Sequence, residues 1–181
     1  MLLSCLTNLH LLAGHPGPAA DSGYQLDTWE VEDGLPENSA TAMARTPDGY
    51  LWFGTFNGLA RFDGAKFTVF NPANTPQLPS AGIVNLKADQ SGRLWISTYN
   101  GVVVMDGSNW RRVKDEDGWA GDYARTFAER ANGDLLITAF NGKVFEYAGE
   151  RFAQLPAPPG EAGQGYLGGV DETGRWWVAQ N

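Results

Sequence analysis

The chain has 181 residues with 13 basic against 21 acidic side chains, a formal net charge of -8, so it lacks the electrostatic footprint of a nucleic-acid binder. Its composition, 43% apolar and 12% aromatic, is that of a globular protein able to bury a core, not of a disordered one. A single cysteine, Cys5, excludes an internal disulfide framework and a cysteine-based metal site, and 23 glycines with 10 prolines suit short strands and tight turns rather than helices.

The chain opens on a mostly apolar segment, residues 1–20, that reads as the back half of a secretory leader without its basic front. Leu2-Leu3-Ser4-Cys5 has a lipobox-like order; a misassigned start or a disordered tail would account for the same residues. Residues 24–29 then alternate apolar and polar, the pattern of a half-buried strand. This strand is expected to complete a last blade that lies outside the sequence.

The organising unit is residues 48–64, DGYLWFGTFNGLARFDG, which returns as residues 91–107 and 132–149 and begins again at residues 173–181. Its glycines, Gly49, Gly92, Gly133 and Gly174, are spaced by 43, 41 and 41 residues. A period of about 40 to 50 residues in a strand-rich sequence points to the blades of a β-propeller. Each glycine follows a turn-forming residue, which predicts a hairpin turn. The next residues, 51–55, 94–98 and 135–138, are aromatic and branched and read as central strands. The pairs Asn57-Gly58, Asn100-Gly101 and Asn141-Gly142 predict a second, two-residue turn of the primed type, followed by strands at 59–62, 102–105 and 143–147. The expected fold is therefore all-β: a partial β-propeller over residues 21–181, with about three complete four-stranded blades at 37–70, 80–114 and 121–154 and half a fourth at 164–181.

Chemistry-bearing residues are sparse. Both histidines, His10 and His15, lie in the leader, so no histidine triad or histidine metal site can be built in the repeats, and no cofactor is expected. Trp52, Trp95 and Trp177 recur at one point of the repeat and read as inter-blade core. The Asp89-x-Ser-Gly-Arg-Leu-Trp95 and Asp171-x-Thr-Gly-Arg-Trp-Trp177 stretches look like the Asp-box of sialidases, itself a turn staple without activity. Arg111, Arg112 and Lys114 read as the solvated edge of an outer strand, and Asp115, Glu116 and Asp117 as solvated charge in a blade crossing. Phe56, Tyr99 and Phe140, each just before an Asn-Gly pair, are open to two readings. On the face that carries the blade crossings they could receive a small ligand; equally, each ring could pack on its neighbour to support its turn.

The form of the repeat, DG-x-LW-hydrophobic-G-T-aromatic-NG, with the lead-in Trp29, Asp33 to Pro36 and Asn38 and the Leu78-Pro79-Ser80 crossing, resembles the two-component regulator propeller repeats. The resemblance runs from Tyr24 to the end of the chain and weakens in the third copy, where Leu136 and Ala139 replace Trp and Thr. It implies a periplasmic, non-catalytic sensor propeller of a bacterial hybrid histidine kinase or diguanylate cyclase, taking an extracellular small ligand, with carbohydrate among the candidates. The sequence has no apolar stretch of about 18 residues and no kinase or cyclase motif. A fragment of a longer product is the expectation, with self-association as the other way to cover open blade edges. A fragment of a propeller lyase or hydrolase, and a protein-interaction propeller, are the alternative functions.

Overall fold

A computed structural model describes residues 27–156, 166–170 and 175–179. The expectations for residues 1–26, Asp171 and Gly174 lie outside these residues. Among the described residues there are fourteen strands in four antiparallel sheets, and the only helices are the single 3-10 turns Val31–Asp33 and Asp115–Asp117. The fold is a partial β-propeller.

Blade one comprises β1 (Ala40–Arg45), β2 (Leu51–Thr55), β3 (Gly58–Phe62) and β4 (Phe67–Phe70). Blade two follows with β5 (Ile83–Ala88), β6 (Leu94–Thr98), β7 (Gly101–Asp106) and β8 (Asn109–Arg112), and blade three with β9 (Ala124–Glu129), β10 (Leu135–Ala139), β11 (Val144–Ala148) and β12 (Arg151–Gln154). Each blade is a simple meander, and β13 (Tyr166–Val170) pairs with β14 (Trp176–Ala179) as a two-stranded sheet. Of the segment 24–29, only 27–29 are described. They form no strand, and the Trp29 ring packs on Phe62 and Phe67 at 5.0 and 6.2 Å between centroids.

The blades join through apolar faces. Trp52, fully buried, sits in a cluster with Ile83, Leu86, Ile96 and Val103 of blade two, and Trp95 does the same against Leu135, Ile137, Phe145 and Phe152 of blade three. Burying such side chains is worth about 1.5 to 3 kcal/mol each and is the main force holding blade to blade.

The turns before each second strand are alike. The N–H of Gly49, Gly92 and Gly133 donates to the carbonyl of Thr46, Asp89 and Arg130 at 2.9 Å, and the glycines take φ of 93°, 86° and 87°, a left-handed backbone that costs a larger residue about 1 kcal/mol or more. In blade two the turn is stapled by Asp89, whose buried carboxylate accepts from Trp95 Nε1 at 2.8 Å, Arg93 Nε at 2.7 Å and the Arg93 N–H at 2.9 Å. Thr46 stands in the same place in blade one and accepts from Trp52 Nε1 at 3.0 Å.

The second set of turns differs from the sequence expectation. Thr55 pairs with Gly58 and Thr98 with Gly101, so the central residues are Phe56-Asn57 and Tyr99-Asn100, and none of them has positive φ. These are not primed turns; the glycine follows the turn and opens the next strand. The threonine hydroxyl closes each one, Thr98 Oγ1 donating to the Gly101 carbonyl at 3.0 Å and accepting from the Asn100 N–H at 3.2 Å. The asparagine amide reaches away from the turn, Asn57 Nδ2 to the Pro36 carbonyl and Asn100 Nδ2 to the Pro79 carbonyl, at 3.3 and 3.4 Å. It ties each turn to the crossing that precedes the blade. In blade three, where Ala139 replaces the threonine, the turn is one residue longer and closes by Ala139 N–H to the Lys143 carbonyl at 2.8 Å, with Gly142 at φ 79°. Thr98→Ala should therefore lower stability by about 1 kcal/mol, read as a reduced denaturation midpoint, because two hydrogen bonds of a buried hydroxyl are lost. An unchanged midpoint would contradict this role.

Elsewhere in blade one, the N–H groups of Lys66 and Ala65 donate to Asp63 Oδ1, both at 2.9 Å, and hold its carboxyl below the ordinary carboxylate range. The lowered value means this contribution is present at neutral pH and is lost as the pH falls through it.

Candidate functional site

The three exposed turn aromatics lie beside the blade crossings. The Tyr99 N–H donates to the Gly82 carbonyl at 3.1 Å and the Phe140 N–H to the Tyr123 carbonyl at 2.8 Å, while the Phe56 N–H reaches the Glu37 carboxylate at 3.4 Å. Turns and crossings thus share one face. All three rings are about half exposed, at 53% for Phe56, 50% for Tyr99 and 46% for Phe140.

Tyr99 and Phe140 line a single groove of about 610 Å3 between blades two and three; Phe56 is not part of it. Between them stands Tyr123, which stacks on Phe140 with centroids 4.7 Å apart and meets Tyr99 edge to face at 5.9 Å. Phe140 also carries the guanidinium of Arg125 at 4.5 Å from its centroid. Its ring therefore holds Tyr123 in place, in keeping with the packing preferences of aromatic pairs. Tyr99 lies flat enough against Gly82 that a Cβ there would meet its ring at 2.6 Å, so the glycine is what lets the ring settle on the crossing. Polar groups ring this aromatic floor: Arg112, Asp115 and Asp122. Arg112 Nη2 donates to the Asn100 carbonyl at 3.0 Å, which fixes it at the rim, while Arg111 pairs with Asp117 at 2.8 Å and Lys114 with Glu116 at 3.3 Å.

Tyr123 and Arg125 were not marked by the sequence reading. The inner strand of each of the three complete blades carries a bulge at the end near the groove face, in which Thr41, Val84 and Arg125 in turn are the extra residue. A bulge re-aims the side chain it carries, and in blade three that side chain is Arg125. The crossings read Leu35-Pro36-Glu37-Asn38-Ser39, Leu78-Pro79-Ser80-Ala81-Gly82 and Trp119-Ala120-Gly121-Asp122-Tyr123; the first two share only Leu-Pro, where the third has Trp119-Ala120. Trp119, Gly121, Asp122 and Tyr123 line the groove.

The recurrent structural residues sit where turns and blade junctions need them. Trp177 falls in β14 opposite Gly169, the register position of Trp52 opposite Ala44 and Trp95 opposite Lys87. Among the described residues no group of three or more His, Cys, Asp or Glu could hold a metal ion, and no helix is long and apolar enough to cross a membrane.

With this geometry in hand, comparison with known proteins places the repeat. The family described as "Two component regulator propeller" matches residues 34–57 and 77–100, each running from the lead-in crossing through the inner and second strands to the asparagine of the second turn. These are two-component regulator propeller repeats. No curated protein matches the chain significantly. Among solved structures, the extracellular domain of a protein described as the hybrid two component system BT3049 from B. thetaiotaomicron superposes with a TM-score of 0.69 at 19% identity, covering 84% of this chain and 22% of that one. The corresponding domain of BT4673 from the same organism gives 0.61 at 19% identity, over 78% of this chain and 19% of that one. A streptogramin B lyase gives 0.58 at 17% identity, over 82% and 50%. The chain thus spans about a fifth of the length of the first two. At these identities the likeness is one of fold.

Proposed function

We propose that this chain is the ligand-recognising part of an extracytoplasmic sensor propeller, and that it binds a small extracellular molecule, in our reading a carbohydrate, without turning it over. The observation that carries the proposal is the groove between blades two and three, built where the third crossing has Trp119-Ala120 in place of the Leu-Pro of the first two. The groove has an aromatic floor with an arginine and two carboxylates at its rim, the mix of apolar surface and few placed polar groups that small-molecule sites use. Sugars present apolar C–H faces to rings and hydroxyls to carboxylates and guanidinium groups. Extracytoplasmic placement draws support from the fold likeness to extracellular domains of hybrid two component systems. Binding would be passed on as a change in the pairing of membrane-bound partners.

The test is binding of the purified chain to an array of plant and bacterial oligosaccharides, with the bound sugar recovered and weighed. Tyr99→Ala and Phe140→Ala are each expected to weaken the best binder about tenfold or more, the effect of losing an aromatic anchor, and the sugar should come back unchanged in mass. Binding indifferent to both substitutions would overturn the site assignment. Product formation would favour a lyase or hydrolase, the reading that the streptogramin B lyase likeness keeps in view.

A further inference from the structure

The groove between blades two and three carries charge that the protein itself does not balance. Arg112, Asp115 and Asp122 are the charged side chains lining it, and the arginine is pinned at the rim, its Nη2 donating to the Asn100 carbonyl at 3.0 Å. The cations nearby are engaged elsewhere: Arg111 pairs with Asp117 at 2.8 Å, Lys114 with Glu116 at 3.3 Å, and Arg125 lies over the Phe140 ring at 4.5 Å. Among the described residues the carboxylates of Asp115 and Asp122 have no hydrogen-bond or ion-pair partner. The groove is therefore net negative.

A buried donor in its wall is also unsatisfied. Trp119 is only 3% exposed, and its Nε1 is buried without a hydrogen-bond partner. The neighbouring edge of the indole lies against Gly121: a Cβ there would stand 2.6 Å from Cζ2 and 2.9 Å from Cε2, the carbon bonded to that nitrogen. A buried N–H without an acceptor is unfavourable, so an oxygen entering the groove beside Gly121 is favoured. Tyr99 and Tyr123 complete the wall, and ring faces attract a cation, as Phe140 already does with Arg125.

We propose that the ligand of this groove is an amino sugar with a free, protonated amine, an inference that rests on the groove being a carbohydrate site and names the class of carbohydrate. The ammonium group meets Asp115 and Asp122 and the tyrosine faces, while the sugar oxygens offer the acceptor that Trp119 lacks. An acetylated amine forgoes the charge, and an acidic sugar gains Arg112 but faces two carboxylates.

The probes are a chitosan tetrasaccharide, with free amines, and the chitin tetrasaccharide of the same length, with acetylated ones, each titrated calorimetrically into the purified chain. The free-amine form should bind about tenfold tighter at low salt, as one cation–π contact and exposed ion pairs together allow, and the preference should shrink as salt screens the charges. Asp115→Asn with Asp122→Asn should abolish the preference and leave both the affinity for the chitin form and the melting midpoint unchanged. Attraction to the chain's net charge of -8 alone would survive Tyr99→Ala, whereas binding in the groove would not. Equal affinities that are lost in Tyr99→Ala would overturn the amine preference and keep the groove as a carbohydrate site. A preference that survives Tyr99→Ala or the double substitution would overturn the proposal, as would binding of neither form; saturable binding of another oligosaccharide would then leave the proposed function standing.

Discussion

Trp95→Ala is expected to cost the fold about 4 kcal/mol, within the range measured for deleting a fully buried aromatic ring. The indole is 0% exposed and meets Tyr147 at 4.8 Å, Phe152 at 6.1 Å and Phe127 at 6.5 Å, so its removal opens the junction of blades two and three along its whole width. It also strips one donor from Asp89, whose side chain is 1% exposed and then keeps only Arg93. A buried carboxylate short of a donor adds its own penalty of about 1 to 3 kcal/mol. Trp95→Phe separates the two effects: it keeps most of the ring contact and loses only the N–H. The same change at Trp52 should be milder, because its partner is the neutral Thr46 hydroxyl. Denaturant unfolding of the three variants checks this. A loss below about 1 kcal/mol for Trp95→Ala would contradict a junction organised around that ring.

The second large effect is expected at Gly118, in the crossing that carries the groove. Its φ is 89°, and a Cβ there would collide with the carbonyl of Phe152 on the outer strand of blade three. The left-handed backbone alone disfavours alanine by about 1 to 2 kcal/mol. Because the obstacle is backbone, the crossing itself must move, and Gly118→Ala should cost about 3 kcal/mol in total. Trp119, Gly121, Asp122 and Tyr123 come directly after it, so ligand binding at the groove should fall with stability. Gly107→Ala is the comparison: φ there is 56° with nothing within 4 Å of the added carbon, so only the backbone term applies, about 1 kcal/mol. Equal effects at the two glycines would contradict the close approach of the crossing to Phe152.

What the sequence disclosed, and what it hid, follows from the range of the interactions concerned. The blades were legible because the repeat prints a turn glycine, a tryptophan and an asparagine at one spacing, and each acts within its own blade or on the next. The second turn was misread because Asn-Gly is a strong local signal for a primed turn, whereas Asn57 and Asn100 serve a distant partner, a proline carbonyl 21 residues earlier. The glycine was then free to open the next strand. Tyr99 and Phe140 could be singled out from their place beside the turns, but the groove they share could not. It depends on Tyr123 and Arg125, and Arg125 reaches Phe140 from a bulged strand that no residue pattern marks. Phe56 has the same local sequence but does not line this groove, and its N–H is held by the Glu37 carboxylate.

The most direct test of the groove as the binding site is nuclear magnetic resonance of the 15N-labelled chain during titration with the best-binding oligosaccharide. The account predicts shifts concentrated at Tyr99, Asn100, Arg112, Asp122, Tyr123 and Phe140, absent in Tyr99→Ala. Shifts centred on blade one around Met43 and Phe53, away from the groove, or no saturable shift with any oligosaccharide, would contradict it.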